Sequence, residues 1–371
     1  MKIIEVSPRF PPSKGGVESH TFHLSVILKK MGYDVEVFTT YPNMGITVNE
    51  KINGISVTRF PSFAPFDILF YSRSLTKILS QAQVDLVHAH GYMSLPMLSA
   101  AFAKRKAISN FKLIVTTHLG FSKLGRVPYF FYNPIFGKLI FNEADKIILV
   151  SEKEILRLPF LKRHRNKIEV IPNGIQTSDE HFENIYHKKP LHGLKIICVG
   201  RLEKNKGFDK AIRIIKKLQD IDVTLDLVGE GPYLDKLFTL VKSLSLTDRI
   251  KFHGKLDDGF LNKLYSQAHV LLLLSKYESF GIVLIEAMNA GVVPIATSVG
   301  GVPDTLDRNS GFLVDFPVKE DKIATIIKTL SNDRTLLKQM AFEGMQRVRR
   351  EFDINRIVAE IVQVYENTLN S

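Results

Sequence analysis

Residues 275–301, SKYESFGIVLIEAMNAGVVPIATSVGG, are the stretch on which the interpretation of this chain rests. An apolar run, VLLLL, leads into a polar turn that carries Glu278, and an amphipathic segment containing Glu286 follows. This pattern predicts a strand, a turn and a helix that begins near Phe280 or Gly281. The two glutamates are therefore expected to lie one on a loop and one about a turn into the helix.

The chemistry of this turn indicates a ligand that carries both a phosphate and hydroxyl groups. Gly281 allows a ligand to approach the backbone, and the first N–H groups of a helix have no partners within the helix. Such a helix end suits an anion. Glu278, directly before it, would then accept hydrogen bonds from sugar hydroxyls, because a carboxylate is only an acceptor. The alternative is structural, with an N-cap acid at Glu278 and a solvated helix acid at Glu286.

Length and composition limit the class of protein. A chain of 371 residues is long enough for two domains, and 45% hydrophobic with 24% charged residues is typical of a soluble globular protein. Its apolar stretches fall short of the roughly 18 uncharged residues of a membrane span. The start, MKIIEVSPRFPP, has Glu5 and two prolines where a signal peptide needs an apolar region. We therefore expect a cytoplasmic location.

The sequence offers no motif for a metal or a bound cofactor. Cys198 is the only cysteine, which excludes disulfides within the chain and cysteine-rich metal sites. Asp257 and Asp258 are adjacent in a DDG turn, so they are expected to point in different directions and to serve the turn. The HEXXH, Walker A, GXSXG and protein-kinase motifs are absent.

The net charge of +12 is concentrated in the first half of the chain. Residues 1–189 contain 25 Lys and Arg against 15 Asp and Glu, a net charge of +10, whereas the remainder has 25 against 23, a net charge of +2. This asymmetry favours an anionic partner for the first half, either nucleic acid or an anionic membrane face.

The first half alternates short β-rich runs with helical patterns, which predicts a mostly parallel sheet covered by helices. Gly15 and Gly16 lie in the turn between the first strand and the first helix, where such folds bind phosphate, although an ordinary turn is the alternative. Polar residues follow three later strands, where ligands bind in open sheets. These are His88 with His90, then His118, then Asn173 with Gly174. For each histidine the alternative is a hydrogen-bonded structural side chain.

A mixed aromatic and basic segment follows His118. Residues 121–141, FSKLGRVPYFFYNPIFGKLIF, are typical of a membrane interface, with a tucked loop and a solvated charged face as the alternative. The aromatic members are Tyr129, Phe130, Phe131 and Tyr132, flanked by Lys123, Arg126 and Lys138. A second basic cluster consists of Arg157, Lys162, Arg163, Arg165 and Lys167.

The second half begins after residues 181–193, which read as a linker, and again alternates strand and helix. Arg201 and Lys206 lie in GRLEKNKG, between a strand and a helix, where they could bind a diphosphate or form an exposed loop. VGEGPYLD, residues 228–235, only partly matches a dinucleotide fingerprint, because Leu234 stands at the third glycine position and Pro232 in the turn. We therefore do not predict a nicotinamide site.

Taken in chain order, these motifs resemble the retaining glycosyltransferases of family 4. In that family two glutamates are separated by seven residues, and the second opens an EAM helix followed by a glycine-rich turn. The corresponding residues here are Glu278, Glu286 with Ala287 and Met288, and Gly300 with Gly301. The resemblance spans nearly the whole chain.

The resemblance implies an α/β GT-B fold, in which two Rossmann-like domains with parallel sheets face each other across a cleft. It places an acceptor domain at residues 1–187 and a donor-nucleotide domain at residues 188–352. Residues 353–371 would form a helix that crosses back to the first domain.

The resemblance also implies roles for individual residues. Arg201 and Lys206 would hold the donor diphosphate, Glu278 the donor sugar and Glu286 the ribose, and His118 would lie against the sugar near the reacting carbon. Leu119 follows His118 where many relatives have an acid or glycine, so His118 is expected to act as a sugar or oxyanion contact. The further donor-binding residues are Gly15, Gly16, Asn173, Gly174, Gly229, Gly231, His253, Gly254, Phe280, Gly281, Ile282 and Val283.

The implied reaction is transfer of a hexose-type sugar from a nucleotide-sugar to a hydroxyl, with retention and without a metal. Arg, Lys and helix N–H groups can stabilise the charge of the leaving diphosphate. We expect a lipid or lipid-carried glycan as acceptor and no nucleic acid partner. The protein would then lie peripherally on the inner face of the cell membrane. The alternatives are a non-hydrolysing sugar-nucleotide epimerase and a catalytically idle sugar-nucleotide binding partner.

Overall fold

The computed structural model describes two compact units of this chain. Unit 1 comprises residues 1–174 and 354–371, and unit 2 comprises residues 175–353. The described residues are 1–13, 15–42, 45–63, 72–108, 110–119 and 132–371. The chain therefore leaves unit 1 after Gly174, earlier than the sequence analysis expects.

Unit 1 is built on an eight-stranded sheet with the order β3-β4-β2-β1-β5-β6-β7-β8. Neighbouring strands are parallel except β3 and β4, which form an antiparallel pair at the edge. The strands are β1 (Lys2–Ser7), β2 (Asp34–Pro42), β3 (Val48–Ile52), β4 (Ile55–Ser62), β5 (Leu86–His90), β6 (Lys112–Thr116), β7 (Lys146–Leu149) and β8 (Ile168–Val170).

The helices of unit 1 follow the apolar periodicity of the sequence. In α2, for example, the Ser72 hydroxyl caps the first turn by accepting a hydrogen bond from the Leu75 N–H, and the buried Leu75 and Leu79 lie one turn apart. The helices are α1 (Gly16–Lys30), α2 (Arg73–Gln81), α3 (Leu95–Lys106), α4 (Lys138–Glu143) and α5 (Glu154–Arg157). A π-helical turn, Asn133–Gly137, leads into α4, and a 3-10 helix, Pro159–Lys167, follows α5.

Unit 2 contains a six-stranded parallel sheet with the order β11-β10-β9-β12-β13-β14. Chain order runs outward in both directions from the β9–β12 pair. In open α/β sheets the crevice beyond the carboxyl ends of such a pair is the preferred ligand site. The strands are β9 (Leu194–Val199), β10 (Val223–Val228), β11 (Ile250–Phe252), β12 (Val270–Leu273), β13 (Val293–Thr297) and β14 (Phe312–Val314).

The helices of unit 2 bury their apolar faces against this sheet. They are α6 (Phe182–Tyr186), α7 (Phe208–Lys217), α8 (Leu234–Ser243), α9 (Asp258–Gln267), α10 (Ile282–Asn289), α11 (Val302–Thr305), α12 (Glu320–Asn332) and α13 (Arg334–Glu351). The stretch predicted as a linker contains α6, whose Phe182 and Ile185 belong to the core of unit 2. Periodicity does not reveal so short a helix.

The last helix, α14 (Ile354–Leu369), returns the chain to unit 1. One face of α14 lies in an apolar cluster with residues of β1 and α1, including Ile3, Leu24 and Leu28. Burial of each such side chain contributes about 1.5–3 kcal/mol, so α14 is an integral part of the core of unit 1.

The predicted fold class, an α/β protein with two parallel-sheet domains, is confirmed. Among the described residues, no helix combines the length and apolar character that a membrane span requires. Residues 121–131 of the predicted aromatic and basic segment, which include Tyr129, Phe130 and Phe131, lie outside the described residues.

Candidate active site

The decisive turn of unit 2 lies between β12 and α10. Gly281 has a φ of +87° and forms the N-cap of α10, which begins at Ile282, one or two residues later than predicted. Glycine adopts this left-handed conformation without steric cost. Ile282 and Val283 form the first turn of α10, so their backbone N–H groups belong to the unpaired helix start. Phe280 is buried, and its ring packs edge-on against Phe352 at a centroid distance of 5.7 Å.

Two further glycines, Gly300 and Gly301, contact the backbone of the Glu278 turn. Gly300 has a φ of +54°, and a Cβ atom there would overlap the carbonyl oxygen of Glu278. The next residue, Gly301, donates its N–H to the same oxygen at 3.0 Å. The two glycines therefore fix the backbone that presents Glu278.

Glu278 and Lys206, which are 72 positions apart, meet in unit 2. Lys206 Nζ lies 2.6 Å from Glu278 Oε1, and the Ser275 hydroxyl donates to the same oxygen at 2.7 Å. Both charged side chains are largely buried, with 26% and 13% of their surfaces exposed. The β9–α7 loop is held there because the Lys276 N–H donates to the Asn205 carbonyl. This geometry places a cation and a carboxylate at the carboxyl ends of β9 and β12.

Arg201 lies on the same loop but has a different partner. Its Nε atom is 3.0 Å from Glu203 Oε1, and half of its side chain is exposed. The structure therefore brings Lys206 and not Arg201 to Glu278. An exposed guanidinium remains accessible to a phosphate.

Glu286 lies on α10 and has a partner that the sequence analysis misses. The Tyr265 hydroxyl donates to Glu286 Oε2 at 3.2 Å. Burial raises the pKa of Glu286 to about 7, and the charge of Asp258 acts in the same direction, while the hydrogen bond from Tyr265 offsets part of the effect. The sequence feature that could have indicated this contact is a tyrosine on the apolar face of α9, because a buried tyrosine hydroxyl needs a hydrogen-bond partner.

Three further predicted glycines belong to loops beside this site. A Cβ atom on Gly229 would overlap the carbonyl oxygen of Gly200, and one on Gly231 would overlap that of Leu202. The turn after β10 is thus packed directly on the loop after β9. This close packing alone requires glycine at both positions. Gly254, with a φ of +64°, accepts the N–H of Gly229 at 2.8 Å.

His253 precedes Gly254 and is held by the neighbouring strand. His253 Nε2 lies 2.6 Å from Asp226 Oδ1, on β10. The contact fixes the ring at the edge of the unit 2 sheet. The predicted turn residue Asp257 forms the N-cap of α9 by accepting the Phe260 N–H at 2.9 Å.

The predicted residues of unit 1 lie at several strand ends. Gly15 is the N-cap of α1 and has an extended backbone, and a Cβ atom there would overlap the Glu18 carboxylate. Gly16 is the first residue of α1. A Cβ atom on Gly174 would lie 2.9 Å from the Cα atom of Ile354, so this glycine permits close packing of α14.

Asn173 and His20 carry buried polar atoms that lack partners. Asn173 Oδ1 and both ring nitrogens of His20 have no hydrogen-bond partner among the described residues. Unpaired buried polar atoms in a folded protein call for an explanation such as a ligand or a water molecule. Asn173 is therefore compatible with its predicted role as a ligand contact.

His118 follows β6 in a conformation that is rare for a residue other than glycine. Its φ is +40°, and the side chain is almost completely buried. The buried carboxylate of Glu154 holds this loop, accepting the Leu119 N–H at 2.9 Å and the Thr117 hydroxyl. Burial raises the pKa of Glu154 to about 7. Glu154 lies on a separate helix, α5, so no local sequence pattern connects it with His118.

The structure also gathers a buried group of histidines in unit 1. His90 Nδ1 lies 3.3 Å from His118 Nε2, and His90 Nε2 lies 2.7 Å from Glu5 Oε2. Two overlapping sets of three side chains could each hold a metal ion, because within each set the possible ligand atoms lie within 4.8 Å of one another. These sets are His20, His90 and His118, and Glu5, His88 and His90. Scanning the sequence for metal motifs does not find them because their members come from separate elements.

Comparison with family models assigns both halves of the chain. Residues 14–179 match the model described as Glycosyltransferase Family 4, and residues 180–347 match the model described as Glycosyl transferases group 1. The two matches meet at residue 180, close to the point where the chain enters unit 2.

Individual relatives match over most of their length. The chain is 27% identical to the N-acetyl-alpha-D-glucosaminyl L-malate synthase of Bacillus anthracis, over 96% of this chain and 95% of the relative. It is 30% identical to the phosphatidylinositol N-acetylglucosaminyltransferase gpi3 subunit of Schizosaccharomyces pombe, over 81% of this chain and 67% of the relative.

Among solved structures, the chain is similar to Anabaena HepE in complex with UDP and glucose. The TM-score is 0.80 at 20% identity, with 99% of this chain and 100% of HepE covered. At this identity the likeness concerns the fold, which is GT-B.

Proposed function

Because the chain belongs to the family 4 glycosyltransferases, we propose that it moves a hexose-type sugar from a nucleotide-sugar to a hydroxyl acceptor, with retention of the anomeric configuration. The observation that carries this proposal is the arrangement of Lys206, Ser275 and Glu278 at the carboxyl ends of β9 and β12. A paired cation and carboxylate at that position suit a ligand with a diphosphate next to a sugar.

In this proposal unit 2 binds the donor through charge and hydrogen bonds alone. Lys206 and Arg201 would contact the diphosphate, and the N-terminus of α10 would add backbone N–H groups. Glu278 would accept hydrogen bonds from the sugar, and Glu286 from the ribose. His253 and Gly254, at the end of β11, would hold the nucleotide base.

In the proposed reaction the same groups would take the place of a metal. The negative charge that grows on the leaving diphosphate would be stabilised by Arg201, Lys206 and the start of α10. Attack from the face that the diphosphate leaves would give retention, with the leaving phosphate taking the proton of the acceptor. His118 would contact the sugar as a neutral side chain, since burial and then the neighbouring His20 lower its pKa well below the usual range.

A thermal-shift panel of UDP-, GDP- and ADP-sugars tests the donor. UDP-N-acetylglucosamine belongs in the panel because the Bacillus anthracis and Schizosaccharomyces pombe relatives are both named for an N-acetylglucosaminyl group. We expect nucleotide-sugars of one base to raise the melting temperature more than the others. If none does so at millimolar concentration, the proposed donor site is wrong.

Two substitutions separate the roles within unit 2. Glu278→Ala should abolish transfer while weakening nucleotide binding only slightly, because this carboxylate would bind the sugar. Arg201→Ala should reduce both, by about 10- to 100-fold in donor affinity, the loss expected for one charge-assisted hydrogen bond.

Lys204→Ala is the matched control, because Lys204 is an exposed cation on the same loop. It should leave donor affinity and turnover close to those of the unchanged protein. Normal turnover in Glu278→Ala would show that the site is wrongly assigned.

For the acceptor we propose a membrane-linked lipid or a lipid-carried glycan, with the protein bound peripherally to the inner face of the membrane. The +10 charge of residues 1–189 supports an anionic surface as partner, and the Schizosaccharomyces pombe relative is named for phosphatidylinositol. The Bacillus anthracis relative is instead named for L-malate, a small soluble acceptor. Sedimentation with anionic liposomes at low salt distinguishes the two, and an absence of binding would contradict the membrane proposal.

A further inference from the structure

A continuous chain of buried polar side chains runs through unit 1 from Glu5 to His118. Glu5 lies in the middle of β1 and is completely buried. Its Oε1 atom accepts the Tyr365 hydroxyl at 3.1 Å, and its Oε2 atom lies 2.7 Å from His90 Nε2. His90 Nδ1 lies 3.3 Å from His118 Nε2. One carboxylate thus stands at the end of a series of two imidazoles.

The carboxylate sets the direction of the hydrogen bonds. Burial alone would raise the pKa of Glu5, but His88 and His90 hold it at about 2, so Glu5 is ionised and can only accept. His90 Nε2 must therefore carry a proton. Burial lowers the pKa of His90 to about 4, so at neutral pH the ring has no second proton and its Nδ1 atom is an acceptor.

The protonation of His90 also fixes the direction of its hydrogen bond to His118. Because His90 Nδ1 is an acceptor, His118 Nε2 must donate to it. Burial holds His118 neutral, so its Nδ1 atom keeps a lone pair. Among the residues that the structure describes, Nδ1 has no hydrogen-bond partner.

We propose that Glu5 and His90 are positioning residues that fix His118 with its proton on Nε2, so that Nδ1 accepts a hydrogen bond from a sugar hydroxyl. This inference rests on the proposed function, in which His118 meets the sugar. The left-handed backbone at His118, held by Glu154, is a separate sign of a functional position.

The other titratable groups that face His90 and His118 do not change the direction of the hydrogen bond between these two rings. His88 lies beside Glu5, but it is occupied by Tyr365 at 2.6 Å through Nδ1 and by Thr116 at 2.7 Å through Nε2. His20 packs edge-on against His118, with ring centroids 4.9 Å apart, and makes no hydrogen bond to it.

The tautomer can be read directly from the full-length protein with ¹⁵N-labelled histidine. Long-range ¹H–¹⁵N spectra distinguish protonated from unprotonated ring nitrogens, and the His118 signals are assigned by their loss in His118→Gln. We expect a protonated Nε2 and an unprotonated Nδ1 at pH 7. A proton on Nδ1, or on both nitrogens, would overturn the proposal.

Glu5→Gln should reverse the chain of hydrogen bonds. The amide oxygen would accept from Tyr365, and the amide NH₂ would then donate to His90 Nε2. His90 would donate through Nδ1, and His118 would carry its proton on Nδ1. We expect kcat to fall at least about tenfold, with no change in the thermal shift produced by nucleotide. An unchanged tautomer and unchanged kcat would refute the positioning role.

Thr116→Val is the matched control, since it removes a buried hydroxyl that bonds to His88 and not to His90. It should leave the His118 tautomer unchanged. The spectra need no substrate, so a failure to find any glycosyl donor would refute the proposed function and leave the tautomer result standing.

A bound metal ion is the competing explanation for the histidine group. Zn²⁺ held by His20, His90 and His118 would require a lone pair on the ligating nitrogen of each ring. We expect treatment with EDTA to leave the spectra unchanged. Stoichiometric zinc in the purified protein, with spectra that change on its removal, would overturn the proposal in favour of a metal site.

Discussion

At the scale of single residues, Glu286 shows how burial couples a binding group to pH. With its pKa raised to about 7, the side chain is roughly half protonated at neutral pH. A protonated carboxyl group can donate as well as accept, which widens the set of hydroxyl arrangements that it can bind. The hydrogen bond from Tyr265 favours the charged form, so this tyrosine keeps Glu286 from becoming fully protonated.

This pKa predicts a pH-dependent stability difference for Glu286→Gln. Because the folded pKa, about 7, lies above the ordinary value of 4.5, ionisation of Glu286 destabilises the folded state as the pH rises between these values. Relative to the unchanged protein, the variant should gain about 1 kcal/mol at pH 5 and about 3 kcal/mol at pH 8. Calorimetric melting of both proteins at the two pH values measures the difference.

The control for this prediction is Asp248→Asn, which removes an exposed acid of unit 2. Its effect on melting should be small and should not grow with pH. If Glu286→Gln is no more stabilising at pH 8 than at pH 5, Glu286 is ionised at lower pH than its burial implies.

Single residues also show why sequence alone reaches only part of the site. Side chains two positions apart in a strand lie on the same face, and the rings of His88 and His90 on β5 do so, with centroids 4.1 Å apart. The carboxylate partner of these histidines, Glu5, is set by the register of β1 on β5, which pairs Glu5 with His88, 83 positions away. Local pattern contains no information about that register. The same holds for Tyr265 and Glu286, whose contact depends on how two helices pack.

At the scale of elements, the glycine turns of unit 2 are the most constrained parts of the candidate site. The alternation of short β-rich runs with helical patterns that the sequence predicts for both halves is present in both units, because each run is short, buried and bounded by turn residues. The strand β3, VNEKI, is missed, since its three central residues are exposed and polar. An edge strand of a hairpin needs no apolar run.

Gly300→Ala should disrupt the Glu278 turn as a whole. Alanine at a left-handed position costs about 1–2 kcal/mol by itself, and here the added Cβ would also overlap the Glu278 carbonyl oxygen. We expect a loss of several kcal/mol in stability and loss of detectable donor binding, because the turn that must move leads directly into the N-terminus of α10, the proposed phosphate contact. Thermal melting with and without nucleotide-sugar measures both effects.

Gly32→Ala is the control that separates the cost of the left-handed backbone from the steric overlap expected in Gly300→Ala. Gly32 has a φ of +90° after α1, with no atom within 4 Å of an added Cβ, so only the conformational cost applies. This variant should lose about 1–2 kcal/mol and keep donor binding. Equal losses in the two variants would mean that the contact with Glu278 is unimportant.

At the scale of the whole molecule, unit 1 is discontinuous in sequence and unit 2 is not. Residues 175–353 form unit 2 without interruption, whereas unit 1 needs both residues 1–174 and residues 354–371. The core around β1 and α1 includes seven buried side chains from α14. The integrity of unit 1 therefore depends on the last eighteen residues.

Deletion of residues 354–371 should unfold unit 1 selectively. Seven buried apolar or aromatic side chains at about 1.5–3 kcal/mol each contribute roughly 10–21 kcal/mol, which is comparable to or larger than the 5–15 kcal/mol by which folded domains are usually stable. We expect hydrogen exchange to show lost amide protection in β1 and β5, while the β9 and β12 amides of unit 2 remain protected. Retained protection in β1 would show that α14 is dispensable.

The discontinuity of unit 1 also has a consequence for biosynthesis. A ribosome completes residues 175–353 before it reaches α14, so unit 2 can fold while unit 1 still lacks part of its core. At about 5–20 residues per second, translating unit 2 keeps the apolar surface around Ile3 and Leu24 uncovered for roughly ten to forty seconds. During this interval the nascent chain is open to aggregation and is a substrate for chaperones, so its yield in cells should depend on them more than the stability of the finished protein indicates.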